Sequence, residues 1–503
     1  MVFYFKGYEG ADCCTPIDLC KEYHPCENNG TCLFTGPGKY TCRCPDDTTG
    51  YNCETILKCQ NDSCGENAVC YVSNHAVHCV CKPFYDGNPT KGHGCYLHQH
   101  KMCSSGDPHY QTFDNLFYSY QGTCPYVLTI PCDNSTLSQI PFFNVTVKNT
   151  QIPPHSATQV SYVDKTWITV YGQHYLLTQQ QNLIVNGAKT YMPYYYPNKK
   201  DSKITITPNG RYGIMVTSDF GFEVQYGYYS VCVSLPDNKK ELNGKVCGAA
   251  GNMNGDPDDD MTLRNGTVLD PFVENSANEF GDSWITNDDI VCAKGSDFGP
   301  GPCDKPEDRH TAQKRCAPIL DASGAFGLCI KHLDEKIVNQ AFNNCVYDEC
   351  ATKDSQKVLC DSLTVFAATC QRLIPGIAIR WRRSDFCPLP CPPYSTYQPC
   401  ASGCPATCSD PNAPKNCTSP CVEDCVCDTG FVLSDRKCVP LSSCGCIDPN
   451  GNYYPPDAKW INDNCTDNYT CSNGTIISNS ISCASHATCT TQDGTRNCYC
   501  DTG

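Results

Sequence analysis

Residues 246–261 read VCGAAGNMNGDPDDDM and hold the clearest candidates for chemistry in the chain. Four aspartates and two asparagines crowd a turn that is rich in Gly and Pro. A hard cation such as Ca²⁺ takes six to eight oxygen ligands, and carboxylates clustered this tightly repel one another unless a cation neutralises them. The stretch therefore indicates a calcium site, with a solvated acidic turn as the alternative. An EF-hand is excluded, because counting from Asp256 places Met261 at the glycine position and Thr267 at the final glutamate position.

The first half of the same stretch lacks a residue that redox chemistry would need. Cys247 is followed by Ala250 at the position where a CxxC motif has its second Cys. The second thiol of such a motif resolves mixed disulfides, so its absence predicts that this chain has no disulfide-exchange activity.

The tetrapeptide Gly106-Asp107-Pro108-His109 could support a self-cleavage reaction. The Asp107 carboxylate can attack its own carbonyl, the amide to Pro108 is tertiary, and His109 could protonate the departing nitrogen. The simpler interpretation is a turn that opens a strand, with Pro fixing the backbone and Asp capping the turn.

Two histidines near a cysteine, His98 and His100 before Cys103, have the composition of a zinc site. We favour a linker between modules, because a cysteine in a disulfide-rich chain is oxidised and cannot ligate zinc. The sequence contains no G-x-S-x-G, H-E-x-x-H, P-loop or G-x-G-x-x-G stretch.

The composition indicates an extracellular protein of several domains. The chain has 503 residues and 45 cysteines, a density that requires an oxidising compartment and many disulfides. Its net charge of −16 argues against nucleic acid as a partner, and no run of 18 apolar residues could span a membrane. The first residues lack the apolar core of a signal peptide, so we expect a piece of a longer secreted chain. Candidate glycosylation sites are Asn29, Asn61, Asn134, Asn144, Asn265, Asn416, Asn464, Asn468 and Asn473.

Cysteine spacing divides the chain into modules. Residues 20–54 carry six cysteines with one C-x-C pair, residues 55–100 carry a second such set, and both resemble EGF-like modules. Residues 1–14 look like the tail of a truncated EGF-like module, and residues 483–503 like the start of another. Modules this small lack a sizeable core, so disulfides must supply their stability.

The middle of the chain is predicted to fold differently. Across residues 102–295 cysteines are sparse, and alternating runs such as KITITPNGRYGIMVTS predict the strands and hairpins of a β-sandwich. Residues 303–388 hold eight cysteines among helical stretches, and residues 391–444 and 445–482 are irregular disulfide knots. The predicted fold class is multi-domain and disulfide-rich. One helix has its buried face at positions 358, 359, 363, 366, 367 and 370.

The order of these motifs is specific. CSSGDPHYQTFDNLFYSYQGTCPYVL and CGAAGNMNGDPDDDM are followed by NNCVYDEC, WRRSDFC, CPPYSTYQPCASGCPATC and CGCIDPNGNYYPPDAKW. Together they resemble the D assembly of von Willebrand factor and related glycoproteins, which consists of VWD, C8, TIL and E modules. The EGF-like flanks and the absence of Ser/Thr/Pro-rich tracts favour an adhesive or matrix protein over a gel mucin.

The resemblance implies a ligand set for the acidic loop. In VWD domains this loop and the Asp of a TFD triplet form one calcium site, and calcium is then a structural cofactor. Asp256 and Asp258 would be charged neighbours. Carried onto this sequence, the implied ligands are Asp114, Asn252, Asn254, Asp259, Asp260 and the carbonyl of Met253.

The resemblance also implies a rearranged disulfide. In the family the second Cys of a CGxC motif pairs with the Cys before GDPHY, here Cys103, but Ala250 cannot form that bond. Cys232 stands where the family usually has no Cys. The alternative is that Cys103 or Cys232 is free or bonds to a neighbouring module. The expected pairs are Cys103–Cys232, Cys132–Cys247 and Cys124–Cys292.

These observations favour a secreted or cell-surface structural and adhesive glycoprotein, not an enzyme, that assembles matrix, mucus or filaments. The expected partners are other extracellular glycoproteins or copies of the chain itself, as a homo-oligomer or filament. Because some family members cleave themselves at GDPH and cross-link through the resulting anhydride, a self-cleaving cross-linker is the first alternative. A TIL-type serine protease inhibitor is the second.

Overall fold

The computed structural model of the chain describes residues 7–501, and within that range it leaves undescribed residues 10–13, 61–62, 66–67, 82–84, 88, 92–94, 98–99, 107, 133–139, 152–160, 180–181, 211–212, 228–229, 237–241, 287–291, 298–304, 353–354, 375 and 418. The chain divides into two compact units. One consists of residues 1–97 with 373–375, and the other of residues 98–372 with 376–503.

The first unit is built from short antiparallel hairpins and one helical turn, Leu19–Glu22. Its two sets of cysteines share a connectivity in which the first bonds to the third and the second to the fourth. The bonds are Cys20–Cys32, Cys26–Cys42, Cys44–Cys53, Cys59–Cys70 and Cys64–Cys79. The paired strands are Tyr8–Glu9 with Thr15–Pro16, Thr31–Gly36 with Lys39–Arg43, Thr48–Thr49 with Thr55–Ile56, Ala68–Ser73 with Ala76–Cys81, and Tyr85–Gly87 with Cys95–Leu97.

The second unit begins with a domain of two antiparallel sheets, the sandwich domain. In spatial order, one sheet contains Phe117–Ser119, His109–Gln111, Lys101–Ser105, Ser230–Ser234, Glu223–Gly227, Gly213–Ser218, Ile204–Asn209 and Tyr194–Tyr196. The other contains Ala188–Thr190, Asn182–Val185, Gln173–Thr178, Ser161–Val170, Phe143–Gln151, Tyr126–Pro131 and Val246–Cys247.

Alternation along the strands explains how these two sheets share one core. In Phe143–Gln151 every second residue from Phe143 to Asn149 is buried, which places the apolar side chains on one face. The PNG hairpin predicted from sequence is present between Ile204–Asn209 and Gly213–Ser218, and Gly210 at its turn has a positive φ of 67°. The helix Ser276–Ser283 closes the domain by burying Phe280 against Tyr118.

Residues 305–388 form the helical domain. Its helices are Pro306–Cys316, Gly327–His332, Glu335–Thr352 and Gln356–Leu373. Among the described residues, three disulfides tie these helices together: Cys316–Cys345, Cys329–Cys370 and Cys360–Cys387. All six apolar positions predicted to form the inner face of the last helix are buried: Val358, Leu359, Leu363, Phe366, Ala367 and Cys370.

Residues 391–444 form a knot of two hairpins, Ser395–Ala401 with Val422–Cys427 and Phe431–Ser434 with Lys437–Pro440. Its ten cysteines form the bonds Cys391–Cys425, Cys400–Cys421, Cys404–Cys417, Cys408–Cys444 and Cys427–Cys438. Among the described residues, this second unit also has short 3₁₀ turns at Pro257–Asp259, Gly295–Asp297, Ala317–Ile319, Ala413–Asn416 and Leu441–Ser443.

The C-terminal module follows from residue 445. Its sheets are Cys446–Ile447 with Tyr453–Tyr454, the three strands Lys459–Ile461, Asp467–Ser472 and Thr475–Ser480, and the pair Ala487–Gln492 with Thr495–Cys500. The bonds are Cys446–Cys471, Cys465–Cys489 and Cys483–Cys498. The second of these bonds crosses the module boundary predicted at residue 482. Within the described ranges, no helix is both long and apolar enough to cross a membrane.

The helical domain offers a direct test of its core. Leu363 is fully buried on the inner face of the helix Gln356–Leu373. We expect Leu363→Ala to lower the free energy of unfolding by about 2–5 kcal/mol, because the substitution leaves a cavity. The control is Leu320→Ala in the same domain, where 42% of the side chain is exposed and little change is expected. Equal losses for the two variants in urea unfolding would contradict the assigned packing.

Candidate metal centre and neighbouring sites

One strand in the middle of the larger sheet positions most of the candidate residues. Lys101–Ser105 pairs with His109–Gln111 on one side and with Ser230–Ser234 on the other. Cys103 therefore lies directly opposite Cys232 in the neighbouring strand. The chain continues from His109–Gln111 into the TFD triplet, residues 112–114.

Backbone hydrogen bonds attach the acidic loop to this triplet. The N–H of Phe113 donates to the carbonyl of Ala250 at 3.0 Å. The N–H groups of Ala249 and Ala250 donate to the carbonyls of Val127 and Leu128, at 3.0 and 2.9 Å. Phe113 and Ala250 are both buried. These hydrogen bonds hold the start of the acidic loop against the smaller sheet and next to Asp114.

Asp114 and Asp260 are buried carboxylates that the fold brings to the two sides of this loop. Asp114 accepts hydrogen bonds from the N–H groups of Asn254 at 3.0 Å and Gly255 at 2.9 Å. Asp260 accepts from the Thr112 hydroxyl at 2.5 Å and from the Asn252 N–H at 3.1 Å. Each carboxylate organises the backbone of the segment that lies between them in the sequence.

The side chains of the loop present more oxygens to the same region. The amides of Asn252 and Asn254 both donate to Asp259, each at 2.8 Å. Met253 has a positive φ of 63°, and its carbonyl accepts from the Gly244 N–H at 3.3 Å. Asp256 and Asp258 lie on the exposed outer side, as expected for charged neighbours.

The two buried carboxylates disturb one another electrostatically. Burial, and then the charge of Asp114, raises the pKa of Asp260 to about 7. Burial also raises the pKa of Asp114, although hydrogen bonds from the Gly255 and Asn254 N–H groups oppose this effect. Two like charges withdrawn from water in this way destabilise the folded state unless a proton or a cation compensates them.

The residues present fit a hard cation by chemistry. Carboxylate, amide and carbonyl oxygens are the donors that Ca²⁺ takes, and the implied ligands all lie on one loop and the adjoining TFD triplet. Gly251 is required for this arrangement, because it has a positive φ of 82° and a Cβ there would lie 2.0 Å from an Asp260 carboxylate oxygen. Neighbouring residues therefore leave Asp260 little freedom to move.

The structure contains the three expected disulfides, two that follow the family pattern and one, Cys103–Cys232, that departs from it. They are Cys103–Cys232, Cys124–Cys292 and Cys132–Cys247. Cys103 and Cys232 have Cα atoms 4.1 Å apart, as directly opposed residues of adjacent strands do. The guanidinium of Arg372, at the end of the last helix of the helical domain, contacts both sulfurs.

The GDPH segment lies where the sandwich and helical domains meet. Asp107 is outside the described residues, whereas Pro108 and His109 are described and buried. The His109 ring nitrogens contact Ser119 Oγ at 2.7 Å and Asp348 Oδ1 at 3.0 Å, and Asp348 also accepts from the Ser362 hydroxyl at 3.1 Å. Both ring nitrogens of His109 therefore have partners among the described residues, Ser119 and Asp348.

The remaining sequence candidates are the possible zinc ligands and the glycosylation sites. His98 lies outside the described residues, His100 is buried, and Cys103 is in a disulfide, which removes the thiolate that zinc would need. Among the described His, Cys, Asp and Glu side chains, one group of three has its ligand atoms within 4.8 Å of one another, Cys465, Cys483 and Cys498, and disulfides occupy all three. The acidic loop does not form such a group from carboxylates alone, and its candidate set includes amide and carbonyl oxygens. Among the sequons, Asn61 and Asn134 are outside the description, Asn144 and Asn468 are half-buried, and Asn29, Asn265, Asn464 and Asn473 are exposed. Asn416 lies in the 3₁₀ turn Ala413–Asn416.

Sequence reasoning missed three residues at these sites. Thr112 holds Asp260, Asp348 holds His109, and Arg372 contacts the Cys103–Cys232 bond. The sequence separations are 148, 239 and 269 residues. No local pattern signals contacts of this range; the TFD triplet, which contains Thr112, is the one signal available.

Four family models match this chain in order. They are the von Willebrand factor type D domain at residues 103–267, the C8 domain at 315–388, the trypsin inhibitor-like cysteine-rich domain (TIL) at 391–444 and the TILa domain at 445–499. The TILa match and the Cys465–Cys489 bond both extend across the boundary predicted at residue 482.

Curated relatives resemble the chain over most of its length. Zonadhesin from Sus scrofa is 32% identical over 91% of the chain, and alpha-tectorin from Mus musculus is 31% identical over 98%. The human IgGFc-binding protein is 34% identical over 80% of the chain. The chain spans 18%, 21% and 7% of the length of these relatives, respectively.

The raised pKa of Asp260 predicts an unusual dependence of stability on pH when divalent cations are removed. A carboxyl whose pKa is higher in the folded state stabilises that state while it is protonated, and this contribution is lost as pH rises from about 4 through about 7. In EDTA we therefore expect the unaltered chain to lose stability over this window. Asp260→Asn should remove the loss and make the chain more stable above pH 7, by about 1–3 kcal/mol.

The measurement is urea unfolding in EDTA at pH 5 and pH 8. The matched control is Asp256→Asn, which removes an exposed charge from the same loop and should follow the unaltered chain at both pH values. If Asp260→Asn were less stable than the unaltered chain at pH 8 in EDTA, the assigned electrostatic conflict would be wrong.

Proposed function

Because this chain carries a von Willebrand factor type D domain followed by C8, TIL and TILa domains, we propose that it is a calcium-dependent structural and adhesive segment of an extracellular glycoprotein. Its relatives are extracellular adhesive and structural glycoproteins with VWD–C8–TIL assemblies. The chain would act as a stiff element within matrix, mucus or filaments. Its partners would be other extracellular glycoproteins or copies of itself.

A continuous network of contacts between domains carries this proposal. The ring of His109 in the sandwich domain meets Asp348 of the helical domain. In turn, Gln371 of the helical domain accepts a hydrogen bond from the Glu423 N–H of the knot at 3.1 Å. At the other end, Asn452 of the C-terminal module accepts from the Tyr195 N–H of the sandwich domain at 2.9 Å.

Ionic and aromatic contacts reinforce the same junctions. Arg382 pairs with Glu423 at 2.9 Å, and both side chains are more than nine-tenths buried. Tyr191 of the sandwich domain meets the edge of Tyr454, whose ring stacks on Trp460. Removing one partner of a buried ion pair such as Arg382–Glu423 destabilises the fold, because the other charge is left uncompensated. Each domain therefore helps to fix the position of its neighbours. A stiff element suits a protein whose work is mechanical connection.

Calcium is proposed as the structural cofactor of this element. Asp114, Asp259 and Asp260, the side-chain oxygens of Asn252 and Asn254, and the carbonyl of Met253 would hold the ion. It would supply the positive charge that the buried carboxylates lack. The support is the like-charge conflict between Asp114 and Asp260 together with the oxygen-rich loop that surrounds them.

We also propose that the two six-cysteine sets of the first unit are EGF-like modules. Their spacing and their shared connectivity, first to third and second to fourth, support this assignment. Small disulfide-held modules of this kind are suitable spacers, because their stability needs little buried core.

The two alternatives have less support from the geometry. Self-cleavage at GDPH needs a proton donor at the Pro108 nitrogen, but both ring nitrogens of His109 are engaged with Ser119 and Asp348. Protease inhibition through the TIL domain has no specific contact in its favour, and a standard trypsin inhibition assay would test it.

Removing calcium should destabilise the sandwich domain. We expect EDTA to lower its melting temperature, and excess calcium to restore about 2.7 kcal/mol when the free ion is at 100 times its dissociation constant. Asp114→Asn should abolish the response to calcium, while the exposed control Asp258→Asn should retain it. The measurement is differential scanning calorimetry with EDTA, calcium chloride or magnesium chloride. An unaltered chain that melts at the same temperature in all three would refute the site.

Gel electrophoresis separates the structural proposal from the self-cleaving alternative. If the chain is a structural element with an engaged His109, the reduced sample should run as one full-length species of 55.4 kDa plus any glycan. Self-cleavage between Asp107 and Pro108 would instead give two fragments that separate only after reduction. Bands of higher mass that disappear on reduction would indicate disulfide-linked assembly.

A further inference from the structure

The Cys103–Cys232 bond occupies a position unlike that of the other disulfides in the sandwich domain. Both cysteines line a cavity of about 150 Å³ where the sandwich domain, the last helix of the helical domain and the knot meet. Cys103 is 7% exposed, and Cys232 is half-buried. The bond is therefore accessible from a cleft that could admit a molecule of a few atoms. Exposure alone does not distinguish this bond, because Cys292 and Cys247 are also half-buried and Cys132 is exposed. Its distinguishing feature is the cation beside it.

A cation lies against this bond. The Nη1 atom of Arg372 is in contact with the Cys103 sulfur and lies 3.6 Å from the Cys232 sulfur. A guanidinium remains charged at every physiological pH, so it stabilises a thiolate formed beside it. It favours Cys103 because it is closer to that sulfur. In thiol–disulfide exchange, a sulfur whose thiolate is stabilised is the better leaving group.

We propose that Cys103–Cys232 is a thiol-exchange site, which a small-molecule thiol opens by attack on Cys232 with Cys103 as the leaving thiolate. The thiolate of the small molecule forms a new S–S bond with Cys232 while the Cys232–Cys103 bond breaks. The electron pair of that bond passes to Cys103, where Arg372 stabilises the negative charge. A second small thiolate then attacks the mixed disulfide, which releases Cys232 and the oxidised small-molecule disulfide.

This site is a substrate of exchange and not a catalyst. Ala250 leaves the acidic loop without a second thiol, so the released Cys103 has no resolving partner in the CGAA segment. The released cysteines would lie in the cleft shared by three domains. After the first step, the cleft would therefore contain a free Cys103 thiolate and a small thiol attached to Cys232 in place of the Cys103–Cys232 bond.

The first experiment uses the complete 503-residue chain. The folded, oxidised protein is incubated with increasing 2-mercaptoethanol, quenched with iodoacetamide and mapped by mass spectrometry. We expect Cys103–Cys232 to open at a thiol concentration at least tenfold lower than Cys124–Cys292 requires. The first mixed disulfide should be on Cys232, and the first alkylated thiol should be Cys103. Equal sensitivity of the two bonds, or a first adduct on Cys103, would overturn the proposal.

The second experiment tests the cation. Arg372→Gln should slow the opening of Cys103–Cys232 at least tenfold, whereas Arg372→Lys should retain most of the rate because it keeps a positive charge. The control Arg383→Gln removes an arginine whose side chain is 67% exposed and should change nothing. An unchanged rate in Arg372→Gln would remove Arg372 from the mechanism. If that variant does not fold, the order of opening and the adduct position in the unaltered chain still decide the proposal.

Discussion

The pairing of the strands Lys101–Ser105 and Ser230–Ser234 is the constraint on which the candidate sites depend. It joins segments that are about 130 residues apart, and the Cys103–Cys232 bond makes the junction covalent. Closing so long a loop is costly in chain entropy, and a cross-link removes much of that cost from the unfolded state. Once the register is set, His109–Gln111 pairs with Lys101–Ser105, and the triplet at 112–114 lies next to the acidic loop.

Two buried acidic groups of the sandwich and helical domains show how differently a fold can compensate a carboxylate. Asp348 meets the ring of His109 and the Ser362 hydroxyl, so hydrogen bonds and a group that can be cationic surround it. Asp260 receives one hydroxyl and one N–H, while its nearest charged neighbour, Asp114, is also negative. At Asp348, neighbouring side chains supply the hydrogen-bond donors that the carboxylate needs. Around Asp260 there are more carboxylate oxygens than hydrogen-bond donors, and a bound cation would compensate this excess of negative charge.

The sequence specified the elements well because their signals are local. Alternation identified the strands of the sandwich, the PNG turn identified its hairpin, and the stripe ending at Cys370 identified the inner face of a helix. The proposed calcium ligands and the rearranged Cys103–Cys232 pairing were predicted by comparison with a family pattern rather than from residue spacing. What the sequence could not supply were contacts such as those of Asp348 and Arg372, because side chains from separate domains meet only after each domain has folded.

Ala250 stands where the family pattern has a cysteine, and this difference changes how the acidic loop is held to the rest of the sandwich domain. In the family pattern a disulfide from this position would tie the loop to the strand of Cys103. Here Ala250 is buried without a bond to that strand, and its carbonyl accepts a hydrogen bond from Phe113 instead. The Cys132–Cys247 bond still secures the start of the loop to the smaller sheet. The link from the loop to Asp114 is consequently noncovalent, so a shared ion would contribute more to holding these two segments together than it would beside a disulfide.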